Sequence, residues 1–156
     1  MRLTDILTAE RVLIARDHDG IRSKQEVIGR LAQMLAPATG REPATIHKVL
    51  ADRELLQSTG IGDGVAIPHG SLDSLHGQTA AIVLCPDGVE FEAIDGRPAR
   101  IVVGVIGPRR ATGEHLRMLA RISRLLRDGS FRDRLLASVD GADALRTIAH
   151  EEETRP

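Results

Sequence analysis

The run ARIVVGVIG, Ala99 to Gly107, has one charge at its second position and is otherwise apolar or glycine. It does not alternate, so as a strand it needs cover on both faces. A second run, QTAAIVLC from Gln78 to Cys85, has the same character. Segments with apolar residues at helical spacing lie before and after the two runs. A sheet buried on both sides requires a helical layer above it and another below. The fold expected is therefore α/β: a mixed sheet of about five strands sandwiched between helical layers. Strands and helices do not alternate strictly, which argues against an all-parallel arrangement. At 156 residues and 42% hydrophobic content the chain can bury one core. No Pro/Gly/Ser-rich linker divides it, so residues 1–156 read as one domain.

The helices have legible boundaries. Ser23 opens SKQEVIGRLAQMLA as an N-cap, and Glu26 three residues on completes a capping-box pattern. Val27, Ile28, Leu31, Met34 and Leu35 form its stripe, and Gly40 ends the region. Pro43 suits the first turn of a second helix, with Ile46, Val49, Leu50 and Leu56 available for burial. PDG at Pro86–Gly88 and DGRP at Asp95–Pro98 read as turns. VEFEAI between them alternates like a half-exposed strand. EHLRMLARISRLLRDG is the strongest helical pattern, with Leu116, Leu119, Ile122 or Ser123, and Leu126 as its stripe and Gly129 as its stop. FRDRLLASV and ADALRTIAHEEE predict two more short helices, and His150 falls in the tail.

Charge and composition remove several functions. Lys+Arg number 21 against Asp+Glu 22, and there are two Phe with no Trp or Tyr. A nucleic-acid-coating surface needs a basic surplus, and base stacking needs aromatic platforms. The single cysteine, Cys85, excludes an internal disulfide and a CxxC metal knuckle. The first residues carry charges every few positions and lack a signal-peptide core. The apolar runs are too short to span a bilayer. A soluble, cytoplasmic protein is expected, a monomer or weak dimer.

Between the second helix and the first long strand lies STGIGDGVAIPHG, Ser58 to Gly70, with four glycines and one histidine. The spacing is not that of a nucleotide loop: GxGxxG would place glycine where Val65 stands, and no Gly-Lys-Ser/Thr triplet occurs. GEHLRML lacks the second histidine of a zinc helix, and no GxSxG elbow is present. No metal and no cofactor is expected. Pro68 restricts Ile67 to extended backbone and stiffens the lead into His69. A histidine near its ordinary pKa of about 6.5 is largely neutral at pH 7 and is a competent nucleophile. Beside a guanidinium and hydrogen-bond donors it can attack phosphorus and hold a phosphoryl group on nitrogen. Arg53, Thr59 and His115 are the residues that this chemistry could use.

The segment RELLQSTGIGDGVAIPHG, Arg53 to Gly70, closely resembles the phosphorylation-site signature of the fructose/mannitol-type enzyme IIA family of the bacterial phosphoenolpyruvate-dependent phosphotransferase system. SKQEVIGRLAQML, DGRPARIVVGVIG and GEHLRMLARISRLLRDGSFRDRLL extend the likeness over nearly the whole chain. The resemblance implies a five-stranded mixed sheet between helices. It also implies that His69 accepts the phosphoryl group as a tele (Nε2) phosphohistidine. His115 would hydrogen-bond near that group, Arg53 would neutralise charge, and Thr59 would be a supporting donor. It implies no metal or nucleotide, and a small histidine phosphocarrier protein as donor. His115 also falls in the expected first turn of its helix, near the positive end of the dipole.

The STGIGxGxAIPHG wording resembles most the nitrogen-regulatory branch of the family. That branch implies a nitrogen-type phosphocarrier as donor, and regulated partners such as potassium-transport or stress-response proteins. The alternative is a freestanding sugar-specific IIA that passes the group to an enzyme IIB. A third reading, from a different class, is a non-catalytic binding module on the same fold. Arg117, Arg121 and Arg124 read mainly as a solvated helix face, with contact to an acidic partner as the minority reading.

Overall fold

The computed structural model describes residues 1–155. Six strands form one sheet: β1 (Val12–Ile14), β2 (Gly60–Gly62), β3 (Val65–Ala66), β4 (His69–Leu72), β5 (Thr79–Val89) and β6 (Ala99–Pro108). Five helices cover it: α1 (Lys24–Thr39), α2 (Pro43–Leu56), α3 (Thr112–Leu125), α4 (Gly129–Leu136) and α5 (Gly141–Thr154). The order is β1-β5-β6-β3-β2, with β4 also on β6. β1 lies parallel to β5, β5 antiparallel to β6, and both β3 and β4 parallel to β6. The expected count of about five differs from six for a physical reason. β3 and β4 run along the same edge of β6 and are separated by Pro68, which has no N–H to give a ladder. The Pro68 carbonyl still accepts from Val105 N at 3.0 Å.

The two long strands are buried on both faces, as their composition predicts. Ala80, Ile82, Leu84, Ile101, Val103 and Val105 face a layer containing Met118, Ile122, Phe131, Leu135, Ala144 and Ile148. Ala81, Val83, Cys85, Val102 and Ile106 face Val27, Ile28, Leu31, Leu35, Ile46 and Leu50. Consecutive residues alternate between the two cores because strand side chains have period 2. Gly104 lets α1 lie close to the sheet: a Cβ there would meet both Leu31 methyls at 3.1 Å.

Several local expectations change. Ser23 caps α1 by accepting from Glu26 N at 3.2 Å, but the Glu26 carboxylate takes the Ser23 hydroxyl and Arg22 N instead of Ser23 N. Pro86–Gly88 are no turn between strands. They form an irregularity inside β5, where the β5–β6 register shifts between Leu84 and Val89. VEFEAI is not a strand beyond Val89; Phe91 plugs the α1/α2 core and Ile94 is exposed. The DGRP turn falls two residues earlier than expected, over Ala93–Gly96, closed by Gly96 N donating to Ala93 O at 2.9 Å. Gly129 begins α4 instead of stopping α3, because the Asp128 side chain caps Ser130 and Phe131. Leu56 is exposed, and Glu54 takes its place in the α2 stripe of Ile46 and Leu50. Ile122 and Leu126 of the expected α3 stripe are buried and Leu119 packs partly against the core, but His115 and Met118 complete the first turns and Leu116 faces outward.

His150 and the acidic residues after it lie in α5, not in a tail. Glu152 is fully buried and accepts from Leu3 N at 2.8 Å, Thr4 N at 3.1 Å and Thr4 Oγ1 at 3.1 Å. It thereby satisfies amides of the N-terminal turn that packs on the sheet. Arg121 offsets its charge at 3.4 Å. Among the described residues no helix is long and apolar enough to cross a membrane.

Candidate functional site

The glycine-rich stretch folds as a small hairpin followed by the interrupted edge. Asp63 (φ 57°) and Gly64 (φ 77°) both occupy the left-handed region between β2 and β3, as a two-residue hairpin turn demands. After Ala66 the ladder breaks at Pro68, and His69 opens β4 opposite Val105. The histidine thus stands at the sheet edge, beyond the hairpin that covers β3.

His69 is half-buried and lines an open depression of about 370 Å³ with Arg53, Gln57, Ser58, Thr59, Ile61, Ile67, Leu119, Ala120 and Ser123. Its Nδ1 is 2.7 Å from the Ile67 carbonyl oxygen. A carbonyl only accepts, so the proton sits on Nδ1 and Nε2 carries the lone pair. The His115 ring lies 5.7 Å from the His69 ring, tilted by 53°. His115 is buried, with Nδ1 3.2 Å from Gln78 Oε1. It is the fourth residue of α3, as expected, and its own amide closes the first helical bond to Ala111 O at 3.1 Å.

Burial lowers the pKa of His69 first; Arg53 adds to this, while the Ile67 hydrogen bond and Glu54 oppose it. Burial also lowers the pKa of His115, and His69 adds to it. Both rings are therefore neutral at pH 7. The lone pair on His69 persists below the ordinary histidine pKa of about 6.5. An NMR pH titration should give midpoints for both histidines below the ordinary value of about 6.5; a midpoint at or above about 6.5 for His69 contradicts the burial argument. The unfolded chain binds these protons first, so both groups support the fold fully above about pH 6.5 and stop doing so as pH falls through their folded values.

Arg53 reaches back to the Gln57 carbonyl with Nη1 at 2.8 Å. It pairs with neither neighbouring carboxylate: Asp52 takes Lys48 at 2.9 Å and Glu54 takes Lys24 at 2.8 Å. Thr59 lines the depression, but its hydroxyl proton is engaged: Oγ1 donates to Glu54 Oε2 at 2.6 Å, and Thr59 N donates to Oε1 at 3.0 Å. What remains on Thr59 Oγ1 is acceptor capacity. The other histidines stand elsewhere. His18 and His76 are exposed, His150 is on the surface of α5, and His47 packs beside Gly29 between α1 and α2. Cys85 is buried, and burial pushes its thiol up to about 11. Arg117 and Arg124 are exposed and share a groove with Arg121 and Met1 on the other side of Ala120.

Sequence reasoning missed Glu54, Lys24 and Gln78. Burial would raise the Glu54 carboxyl, yet the Lys24 and Thr59 hydrogen bonds outweigh it and hold the pKa below the ordinary value. Lys24 is only 13% exposed at its side chain and Glu54 only 4%. The pair therefore ties the start of α1 to the end of α2 and to the loop that enters β2. The available signal was Glu54 itself, a carboxylate four residues after Leu50 on an apolar stripe. Gln78 carried no comparable signal.

Fold and site together define a class: single-domain α/β sandwiches that present a histidine at the interrupted edge of a mixed sheet. The chain belongs to the EIIA 2 family of the phosphoenolpyruvate-dependent sugar phosphotransferase system, whose family model matches residues 5–151. It is 37% identical over 148 residues to a nitrogen regulatory protein of Bradyrhizobium diazoefficiens, covering 95% of this chain and 94% of that one. A nitrogen regulatory protein of Pseudomonas aeruginosa is 36% identical over 149 residues, with the same coverage of 95% and 94%. Among solved structures, the nitrogen regulatory protein IIA-Ntr of Neisseria meningitidis superposes with a TM-score of 0.85 at 28% identity, covering 94% of this chain and 98% of that one. The mannitol IIA of Escherichia coli superposes at 0.75 with 25% identity, covering 91% and 98%. A phosphoryl-carrier role follows from the family.

Proposed function

We propose that this protein is a nitrogen-regulatory type of enzyme IIA: it accepts a phosphoryl group on His69 from a histidine phosphocarrier protein and controls partners by its phosphorylation state. The observation that carries the chemistry is the Nδ1–H of His69 held on the Ile67 carbonyl, which leaves Nε2 as the nucleophile. The Nε2 lone pair attacks phosphorus. The donor's N–P bond breaks, and its electron pair returns to the donor imidazole. One N–P bond replaces another, and no proton is gained or lost. The Ile67 carbonyl supports the positive character that His69 acquires on phosphorylation. Arg53 and His115 stabilise the equatorial oxygens, where the transition state concentrates charge. Thr59 holds the loop through Glu54 and reaches the oxygens as a donor only if its hydroxyl turns away from that carboxylate.

Exposed apolar residues surround the depression: Ile61 on its wall, Leu55 and Leu56 just before Gln57, and Leu116 one turn before Leu119 and Ala120. Such a rim suits a protein partner. A partner seated there meets about two added negative charges when His69 is phosphorylated. This is a means of reading phosphorylation state, in the cytoplasm where phosphoenolpyruvate is made. The nitrogen-regulatory branch is favoured by two full-length relatives of that name at 37% and 36% identity. A fructose-specific EIIABC component of Bacillus subtilis, 31% identical over 97% of this chain and 23% of its own length, keeps the sugar-specific reading as the second.

The test is a reconstituted relay of phosphoenolpyruvate, enzyme I and either a nitrogen-type or a sugar-type phosphocarrier, read by intact mass. One phosphoryl group, arriving faster from the nitrogen-type carrier, is expected. Faster transfer from the sugar-type carrier moves the assignment to a sugar-specific IIA. No transfer from either to folded protein leaves the binding-module reading.

A further inference from the structure

Gln78 and His115 form a buried pair whose far ends are both unsatisfied. Gln78 is 8% exposed and His115 is 9% exposed. Gln78 Oε1 lies 3.2 Å from His115 Nδ1, while Gln78 Nε2 and His115 Nε2 are buried without a hydrogen-bond partner. The space around the pair is shaped for it. A Cβ at Gly107 would stand 2.9 Å from His115 Nδ1 and 3.1 Å from Gln78 Cγ, so only glycine leaves both side chains where they are.

The amide carbonyl only accepts, so in this arrangement His115 carries its proton on Nδ1 and a lone pair on Nε2. A lone pair cannot hydrogen-bond a phosphoryl oxygen, which is itself an acceptor. Turning the Gln78 amide by half a rotation exchanges its oxygen and nitrogen in the same space. The NH₂ group then donates to Nδ1, and the proton belongs on Nε2. One proton leaves Nδ1 and one arrives at Nε2, so the net count is unchanged. Each state leaves one amide atom unpaired in the free protein, which keeps the two close in energy. A phosphoryl oxygen beside His115 Nε2 rewards only the second.

Resting on the phosphocarrier reading above, we propose that Gln78 is a positioning residue that sets the tautomer of His115. Its amide accepts from Nδ1–H in the free protein and turns to donate to Nδ1 once His69 carries the phosphoryl group. The charged and titratable groups around the ring are few. His69 faces it from β4. Arg53 and Glu54 act on His69 from α2. Glu114 and Arg117 flank His115 on α3 and are exposed, and β6 contributes Gly107. The depressed pKa of His115 agrees with a neutral ring that changes tautomer instead of gaining a proton.

The test reads imidazole ¹⁵N shifts of His115 in the whole chain, free and after phosphorylation with phosphoramidate. The expected result is a neutral ring in both, protonated on Nδ1 when free and on Nε2 when phosphorylated. An Nε2–H ring in both states overturns the proposal, and so does an imidazolium in the phosphoprotein. The variant Gln78→Glu offers only acceptors, so its His115 must become imidazolium to reach the phosphoryl group. Transfer should fall about 100-fold at pH 8 and recover partly at pH 6; a pH profile like the wild type's also overturns the proposal. If the variant does not fold, the two wild-type spectra decide. A protein phosphorylated by phosphoramidate but by no carrier defeats the carrier reading alone, and the His115 tautomer is still read from the same spectra.

Discussion

His69→Ala should take up no phosphoryl group from either phosphocarrier, and its intact mass should stay unchanged over times that convert the wild type fully. The expected effect is complete because Nε2 of His69 is the atom proposed to form the new bond, and His18, His47, His76, His115 and His150 do not line the depression. His115 is the nearest rival. Its ring lies 5.7 Å away, yet it is buried behind the depression, and its Nε2 contacts no partner. The bond in the wild type should be acid-labile and alkali-stable, as a phosphorus–nitrogen bond is. Phosphate recovered on Ser58, Thr59 or Ser123 defeats the assignment, and so does full uptake by folded His69→Ala.

Glu54→Ala should be the most damaging substitution for stability near the site. It leaves the Lys24 ammonium 13% exposed without the carboxylate at 2.8 Å, and it strips Thr59 N and Oγ1 of their acceptor. Glu92 still reaches Lys24 at 3.2 Å, but from an exposed loop. Removing one member of a buried pair costs about 3–5 kcal/mol. In a domain of this size that lowers Tm by roughly 10 °C. Lys24→Leu with Glu54→Leu together should lose less than Glu54→Ala alone, because no charge is stranded. Thermal melts of the single and double variants measure this; a Glu54→Ala melt within about 2 °C of wild type removes the pair as a strut of the site. Because Glu54 holds the loop that enters β2, the same variant should also slow transfer to His69 in the protein that remains folded.

Much of this molecule was written in local patterns. Two apolar runs without alternation demanded a sheet covered on both faces, and period 2 divided their side chains between two cores. Ser23 and Pro43 marked helix starts, and Gly40 marked an end. The unbroken signature from Arg53 to Gly70 pointed to His69. The errors fell where tertiary contacts outweigh local propensity. Leu56 and Leu116 looked like core, but Glu54 and His115 hold the stripe positions facing inward. A polar residue on an apolar stripe reads locally as a break in pattern. It becomes intelligible only when its partner, Lys24 or Gln78, arrives from elsewhere in the chain. Pro86–Gly88 failed as a turn for a related reason: pairing with β6 carries β5 through them.

The sequence by itself determined the layered α/β architecture and singled out the histidine proposed to carry the chemistry, because hydrophobic periodicity and backbone sterics act over a few neighbouring residues. Only the tertiary structure decided what holds the Nδ1 proton of His69, where the Thr59 proton goes, and that Gln78 stands behind His115. Ile67 and Glu54 lie two and five residues from their partners, which only the break at Pro68 and the loop after α2 align, whereas Gln78 reaches His115 from 37 residues away.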